Sequence, residues 1–259
     1  MDKTTYYSTK LFLASVIPLM KEIAMRTNLK DKFFKNPGIA QISVITDEGK
    51  WGTHFLIENE SITVGLNTVE NPDVELEFKT PEHFVAFFKN KTKKLPKIKG
   101  FFKFGLLVAT FKTLLKMAGV LGAKEAPKAE ADKELLVRCM FYLLSNGISR
   151  LNKLEHPDIH DWAQKSPKRV YALAVDGYDD VAAYILVQAG KTKASKGLYK
   201  LSKPFFTLRF ADLDSALAIL LDTGDMLALT AEKKLIMEGA PEFGAKLGDF
   251  MMMVGEFVQ

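Results

Sequence analysis

Apolar residues recur at three- and four-residue spacing over residues 11–25 and again over 135–151, where Leu136, Met140, Leu144 and Ile148 share one face. That period predicts two amphipathic helices. A short polar helix follows each, ended by Asn36-Pro37 in one case and Ser166-Pro167 in the other. Strand-like runs come next, at 40–46, 51–58, 61–66 and 74–78 in the first half. The turn sequences Asp47-Glu48-Gly49 and Glu58-Asn59-Glu60 make the first three of these consecutive hairpins. The second half offers runs at 170–175, 181–188 and 205–210, with a weak one at 197–201 and a turn at Asp176-Gly177. The helical period then returns. Thr80-Pro81-Glu82 supplies a cap, a proline at the first helical position and an acid in the first turn, and Asp212 caps the corresponding helix. A short fifth strand, 97–99 or 235–238, leads through Gly100 or Gly239 into a terminal helix.

The same order of elements therefore occurs twice, and local matches follow it. Residues 31–37 (DKFFKNP) pair with 161–167 (DWAQKSP) at an offset of 130, and 42–44 with 173–175 at 131. Residues 72–78 pair with 204–210 at 132, and the Gly100-x4-Gly105 spacing with Gly239-x4-Gly244 at 139. Collinear matches of this kind imply a duplication, with about seven residues inserted before the second terminal helix. The boundary falls in the polar stretch 122–132, which gives units 1–123 and 133–259 with 124–132 as linker. The expected fold class is α+β: two units, each an antiparallel sheet of about five strands with helices packed on one face.

Of the 259 residues, 47% are apolar and 26% charged, a globular composition with room for two ordinary domains. The single Cys139 excludes an internal disulfide framework and points to a reducing, cytoplasmic compartment. The apolar run 11–20 lacks the flanks of a signal peptide, and 101–121 carries Lys103, Lys112 and Lys116, so no transmembrane helix is expected. The net charge of +5 is unevenly spread. Residues 1–123 hold 18 Lys and Arg against 12 Asp and Glu, whereas 124–259 hold 18 against 19. The excess lies in nine lysines running from Lys89 to Lys116, without an arginine or an acid among them. Such a block is either a solvated face or attracts an anionic surface. Nucleic acid is not expected as the partner, because arginine, the residue suited to bidentate base and phosphate contacts, is missing from the block.

The two terminal helices, 101–121 and 243–258, are apolar around most of their circumference, and the second carries Met251, Met252 and Met253 in succession. A helix of that kind is buried, as core or between units, or it lines a cavity for an apolar ligand. Here the chain resembles a known family. The run Pro-Asp-Val-Glu-Leu-Glu-Phe (72–78) before Thr-Pro-Glu-His-Phe-Val-Ala-Phe-Phe (80–88), then Ile98-Lys99-Gly100 before an apolar helix, is similar to the sterol carrier protein 2 lipid-binding domain, and Trp51 after the first turn fits the same pattern. The second unit carries Phe206-Thr207-Leu208-Arg209-Phe210, Asp212-Leu213-Asp214 and 234–239 (KLIMEG) in the same places. The resemblance implies non-catalytic binding and transfer of a fatty acyl, sterol-like or isoprenoid lipid in a tunnel between sheet and terminal helix. On that basis the walls of unit one are expected to include Phe84, Phe87, Phe88, Phe104, Leu107, Val108, Phe111 and Leu115. Those of unit two are Leu217, Leu220, Leu221, Phe243, Leu247, Phe250, Met251 and Val254. Lys91, Lys93, Lys94 and Lys97, next to the implied entrance, are expected to dock transiently on anionic membranes.

The polar residues suggest no chemistry. His156 and His160 lie four apart with Asp158 and Asp161 close by, but Pro157 separates them and no further ligand completes a zinc set. His54 and His83 have no partner in the sequence, and Asp176, Asp179 and Asp180 lack the spacing of a calcium loop. The glycines form no nucleotide-binding fingerprint. No cofactor, metal or catalytic residue is expected. The competing reading is a surface-binding module in which the Lys89 to Lys116 block does the binding and the apolar helices are plain core.

Overall fold

The computed structural model describes residues 1–259. The chain divides into two compact units, Met1–Gly119 with Phe257–Gln259, and Val120–Glu256. The first opens on α1 (Lys3–Leu11), capped by Asp2, which accepts a hydrogen bond from Thr5 N–H. A π-helical turn at Phe12–Val16 leads to α2 (Leu19–Met25) and α3 (Leu29–Phe34). The strands β1 (Gly38–Thr46), β2 (Gly49–Glu58) and β3 (Ser61–Gly65) form the expected antiparallel meander.

The fourth strand corrects the sequence expectation. β4 (Val74–Phe78) lies on the far side of β1 and runs parallel to it, with Ala40 opposite Val74, and β5 (Lys97–Lys99) closes that edge antiparallel to β4. The order is β3-β2-β1-β4-β5, so the sheet is mixed. The reason is the eight-residue connection 66–73, which returns from the outer end of β3 across two strands before β4 begins. Its path is fixed by polar contacts on the sheet face: Val69 N–H donates to Gln41 Oε1 at 2.7 Å, and His54 Nδ1 lies 2.8 Å from the Asn67 carbonyl. Gly52 lies under this connection, where a Cβ would come within 2.7 Å of Thr68.

The opposite face of the sheet is apolar, as alternation requires: Ala40, Ile42 and Val44 of β1 and Val74, Leu76 and Phe78 of β4 are all buried. α4 (Pro81–Phe88), with Thr80 accepting from His83 N–H, packs its aromatic residues there. Phe78, Phe84 and Phe88 are ring neighbours at 4.9–5.9 Å, and Phe12 joins them 5.3 Å from Phe88. A short 3-10 turn (Phe101–Lys103) then leads into α5 (Phe104–Leu121).

The second unit repeats the plan. α6 (Glu130–Lys153) starts inside the stretch read as linker, and α7 (Pro157–Lys165) follows. Strands β6 (Arg169–Val175), β7 (Ala183–Gln188), β8 (Lys191–Lys196), β9 (Phe206–Phe210) and β10 (Leu235–Glu238) take the order β10-β9-β6-β7-β8, again with the β6–β9 pair parallel. Tyr171 stands opposite Phe206 where Ala40 stands opposite Val74, so the sequence offsets persist as a structural register. The third strand of this unit is β8 and not the run at 197–201. Its alternating lysines leave only Thr192 buried, which hides the strand from an apolar pattern. The inserted residues form α9 (Met226–Ala231), capped by Asp225, between α8 (Leu213–Leu220) and β10. α10 (Pro241–Val258) ends the chain's helices.

The glycine before each terminal helix has a steric cause. Gly100 adopts φ +92°, and a Cβ there would lie 1.9 Å from the Asp73 carbonyl oxygen; Gly239 adopts φ +127° beside the Phe205 carbonyl.

Candidate functional site

In unit two Trp162, Tyr171, Phe243, Lys246, Leu247 and Phe250 line a closed cleft between the sheet and the terminal helix, packed so tightly that it leaves no room for a water molecule. Each comes from an element whose pattern dictates its direction. Tyr171 is on the helix-covered face of β6, in line with Leu173 and Val175. Trp162 comes from α7 and meets Tyr171 at 5.4 Å and Phe250 at 5.2 Å between ring centroids. Phe243, Leu247 and Phe250 recur at four- and three-residue steps along α10, which aligns them on one face. Phe205 extends the wall, 5.8 Å from Tyr171 and 4.6 Å from Phe243, and the Arg169 guanidinium covers the Phe205 ring at 4.1 Å. α10 lies close to its neighbours because small residues permit it. A Cβ at Gly147 would come within 2.6 Å of Val254, and one at Gly244 within 2.8 Å of Phe206.

Two polar groups mark this otherwise apolar space. Tyr171 is 2% exposed and its hydroxyl has no hydrogen-bond partner, although such a group buried without one costs free energy. The Lys246 ammonium lies over the Phe250 ring at 5.0 Å, from an exposed position on α10. The arrangement suits a ligand that is mostly apolar and carries one hydrogen-bond acceptor.

Three of the eight expected wall residues of unit two, Phe243, Leu247 and Phe250, line the cleft. Val254 packs on Gly147, Leu217 is fully buried, and Leu220, Leu221 and Met251 are half-buried. The reading of the sequence did not find Trp162, Tyr171 or Lys246. The repeat could have pointed to the first two, because their counterparts in unit one by offset are Lys32 and Ala40. An aromatic pair that appears in only one copy of a duplication is a signal of divergence.

Unit one is different. Phe84, Phe87 and Phe88 belong to the ring cluster around Phe78. In α5 the buried residues are Leu106, Leu107, Ala109, Thr110, Thr113, Leu114 and Met117. Phe104 (67% exposed) and Leu115 (71%) lie on the opposite side, with Val108 and Phe111 half-buried between them. The expectation that these four face an interior is corrected for Phe104 and Leu115, because at 100° per residue the 104–108–111–115 stripe opposes the buried one. The 3-10 turn and α5 together, Phe101–Leu121, are long and apolar enough to cross a membrane by length and composition. Lys91, Lys93, Lys94 and Lys97 are all exposed, and the Lys94 carbonyl accepts a hydrogen bond from His83 Nε2.

On the other face of the unit-one sheet lies a polar cluster that the sequence reading missed. Glu75 Oε1 accepts from Gln41 Nε2 (2.8 Å), Ser43 Oγ (2.7 Å) and Lys50 Nζ (3.0 Å), and Oε2 accepts from Lys99 Nζ (2.8 Å). Glu77 Oε2 receives the same two ammonium groups at 2.6 Å each. Burial raises the Glu75 pKa, but the hydrogen bonds from Lys99, Ser43, Lys50 and Gln41 prevail and bring it down to about 2. A carboxylate so engaged is a poor proton acceptor, and its effect is to hold β1, β2, β4 and β5 together. Unit two inverts one pair of these charges: Arg209 stands in the place of Glu77 and pairs at 2.9 Å with Glu238, in the place of Lys99, and also with Asp176 at 2.9 Å. The histidines singled out in the sequence are engaged locally. His160 Nδ1 lies 3.1 Å from Asn152 Oδ1, and His156 is the N-cap residue of α7.

No family model matches the chain, and no curated protein matches it. Among solved structures, the stereoselective inverting sec-alkylsulfatase Pisa1 from Pseudomonas sp. is similar over 66% of this chain and 29% of that one, with 10% identity and a TM-score of 0.25. This chain thus spans less than a third of that enzyme's length, and a likeness of this size bears on neither its fold nor its chemistry.

Proposed function

We propose that this protein binds and transfers apolar lipids without chemical conversion, as a tandem pair of units of the sterol carrier protein 2 kind working in the cytoplasm. The observation that carries this reading is the aromatic cleft between β6 and α10. It lies where the resemblance assigns the ligand, and it contains a buried hydroxyl without a partner. Fatty acyl, sterol-like and isoprenoid compounds all have the required character. The closed cleft has no free volume, whereas ordinary small-molecule sites offer roughly 300–1,000 Å³, so uptake requires that Leu247 and Phe250 move away from Trp162. An acyl chain burying about fourteen methylenes gains roughly 11 kcal/mol gross, at about 0.8 kcal/mol per CH₂. That gross gain is of the same order as the cost of association and has to offset the opening of the packed site as well. Exposed Lys91, Lys93, Lys94 and Lys97 support transient contact with anionic membranes at about 1 kcal/mol each.

Native mass spectrometry of the purified protein tests the reading. The expected result is a lipid-sized mass increment that organic extraction removes and fatty acid addition restores. A bare chain mass that added lipid never changes would overturn it.

A further inference from the structure

The geometry points to α5 as an in-plane membrane anchor: the stripe Phe104–Val108–Phe111–Leu115, with Phe101 and Phe102 before it, seats in the headgroup and acyl boundary of an anionic phospholipid bilayer. This rests on the membrane contact proposed above and specifies which side chains enter the lipid. Phe101, Phe102, Phe104 and Leu115 are all exposed, Phe102 completely, although large aromatic side chains seldom cluster in water. They do so on a helix whose other side is anchored in its own unit. Leu106 is in contact range of a Cβ at Gly38, and a Cβ at Gly105 would strike Asn36. The stripe is about 16 Å long at 1.5 Å per residue. With its opposite face held by the fold, α5 is placed to lie along a bilayer surface rather than to cross it.

The charges specify the kind of surface. Lys112 and Lys116 flank the stripe on one side and Lys103 on the other, and the chain contains no acid between Glu82 and Glu125. Three acids of the unit-one sheet and its approach are already engaged. Asp73 accepts from Ile39 N–H and lies 4.0 Å from Lys103, and Glu75 and Glu77 hold Lys50 and Lys99. Lys112 also sits against Lys32 of α3, whose pKa is lowered by that contact. Anionic headgroups relieve this repulsion, whereas a second copy of the chain docked stripe to stripe would intensify it.

The test uses the full chain and vesicles of phosphatidylcholine with or without phosphatidylglycerol. Cys139 is fully buried, so an environment-sensitive fluorophore can be placed selectively at L115C or F102C. The expected result is a blue shift on anionic vesicles alone, and at least tenfold weaker co-sedimentation for F102S/F104S/L115S with an unchanged thermal melt. If the vesicles bind with no blue shift and the triple variant binds equally well, the stripe stays outside the lipid and the inference fails while lysine docking stands. Absence of binding to either vesicle overturns both. A concentration-dependent doubling of mass that the triple variant abolishes would assign the stripe to a second copy and likewise overturn it.

Discussion

Trp162 and Tyr171 meet edge to face at 5.4 Å, one from a helix and the other from the first strand of its sheet, and Phe250 of the terminal helix closes on the same tryptophan at 5.2 Å. Two consecutive elements and the distant terminal helix thus converge on one ring. The only polar atom that Tyr171 brings to this place is a hydroxyl with no protein partner.

Replacing Tyr171 by Phe removes that hydroxyl while keeping the ring. We expect the ligand-free protein to be unchanged or stabilised, by up to about 1 kcal/mol, since an unsatisfied buried polar group is a cost. Affinity for a fatty acid should fall relative to that for a hydrocarbon of equal length. Thermal denaturation and parallel titrations check both; a destabilised Y171F protein would show that the hydroxyl is already paired.

The Glu75 cluster sets an acid limit on stability. Its folded pKa of about 2 is depressed from an ordinary value of 4.5, so its contribution is present above about pH 4.5 and is lost as pH falls toward 2. The difference corresponds to at most about 3 kcal/mol. Glu75→Gln should lose about 1–3 kcal/mol at pH 7 and flatten the decline between pH 5 and 2. Urea unfolding across that range measures it, and parallel curves for the variant and the parent would contradict the assignment.

The hinge before α5 is expected to tolerate no side chain. Gly100→Ala combines φ +92° with a contact of 1.9 Å to the Asp73 carbonyl and should cost at least about 2 kcal/mol. Gly119→Ala, in the same helix with nothing within 4 Å, should instead stabilise by about 0.5–1 kcal/mol. Equal melting temperatures for the two variants would be inconsistent with the hinge geometry.

The sequence made the α+β class, the doubled order of elements and the capping residues Thr80 and Asp212 legible, because period, turn residues and caps are local signals. The parallel β1–β4 and β6–β9 pairings were not legible. They follow from where residues 66–73 and their counterparts cross the sheet, which no local period records. β8 escaped because lysines occupy its outward positions, and α9 because it is an insertion with no copy in unit one. In the site, helical spacing pointed to Phe243, Leu247 and Phe250, whereas Trp162 and Tyr171 come from separate elements that only the tertiary fold brings together. The side of α5 that faces outward was misjudged because the helix is apolar on both sides, and its period alone does not say which stripe the sheet takes.

The most direct measurement of ligand entry uses the cleft's own fluorophore. The chain has two tryptophans, and Trp51 lies on β2 of unit one, so Trp51→Phe leaves Trp162 as the only reporter. Titration of that variant with a brominated fatty acid should quench Trp162 saturably, with unbrominated fatty acid reversing the effect by competition. If the emission of Trp162 stays unchanged while the protein is shown to bind the fatty acid, the ligand lies elsewhere. If no fatty acid binds and no quenching occurs, the account of this protein as a lipid carrier is contradicted.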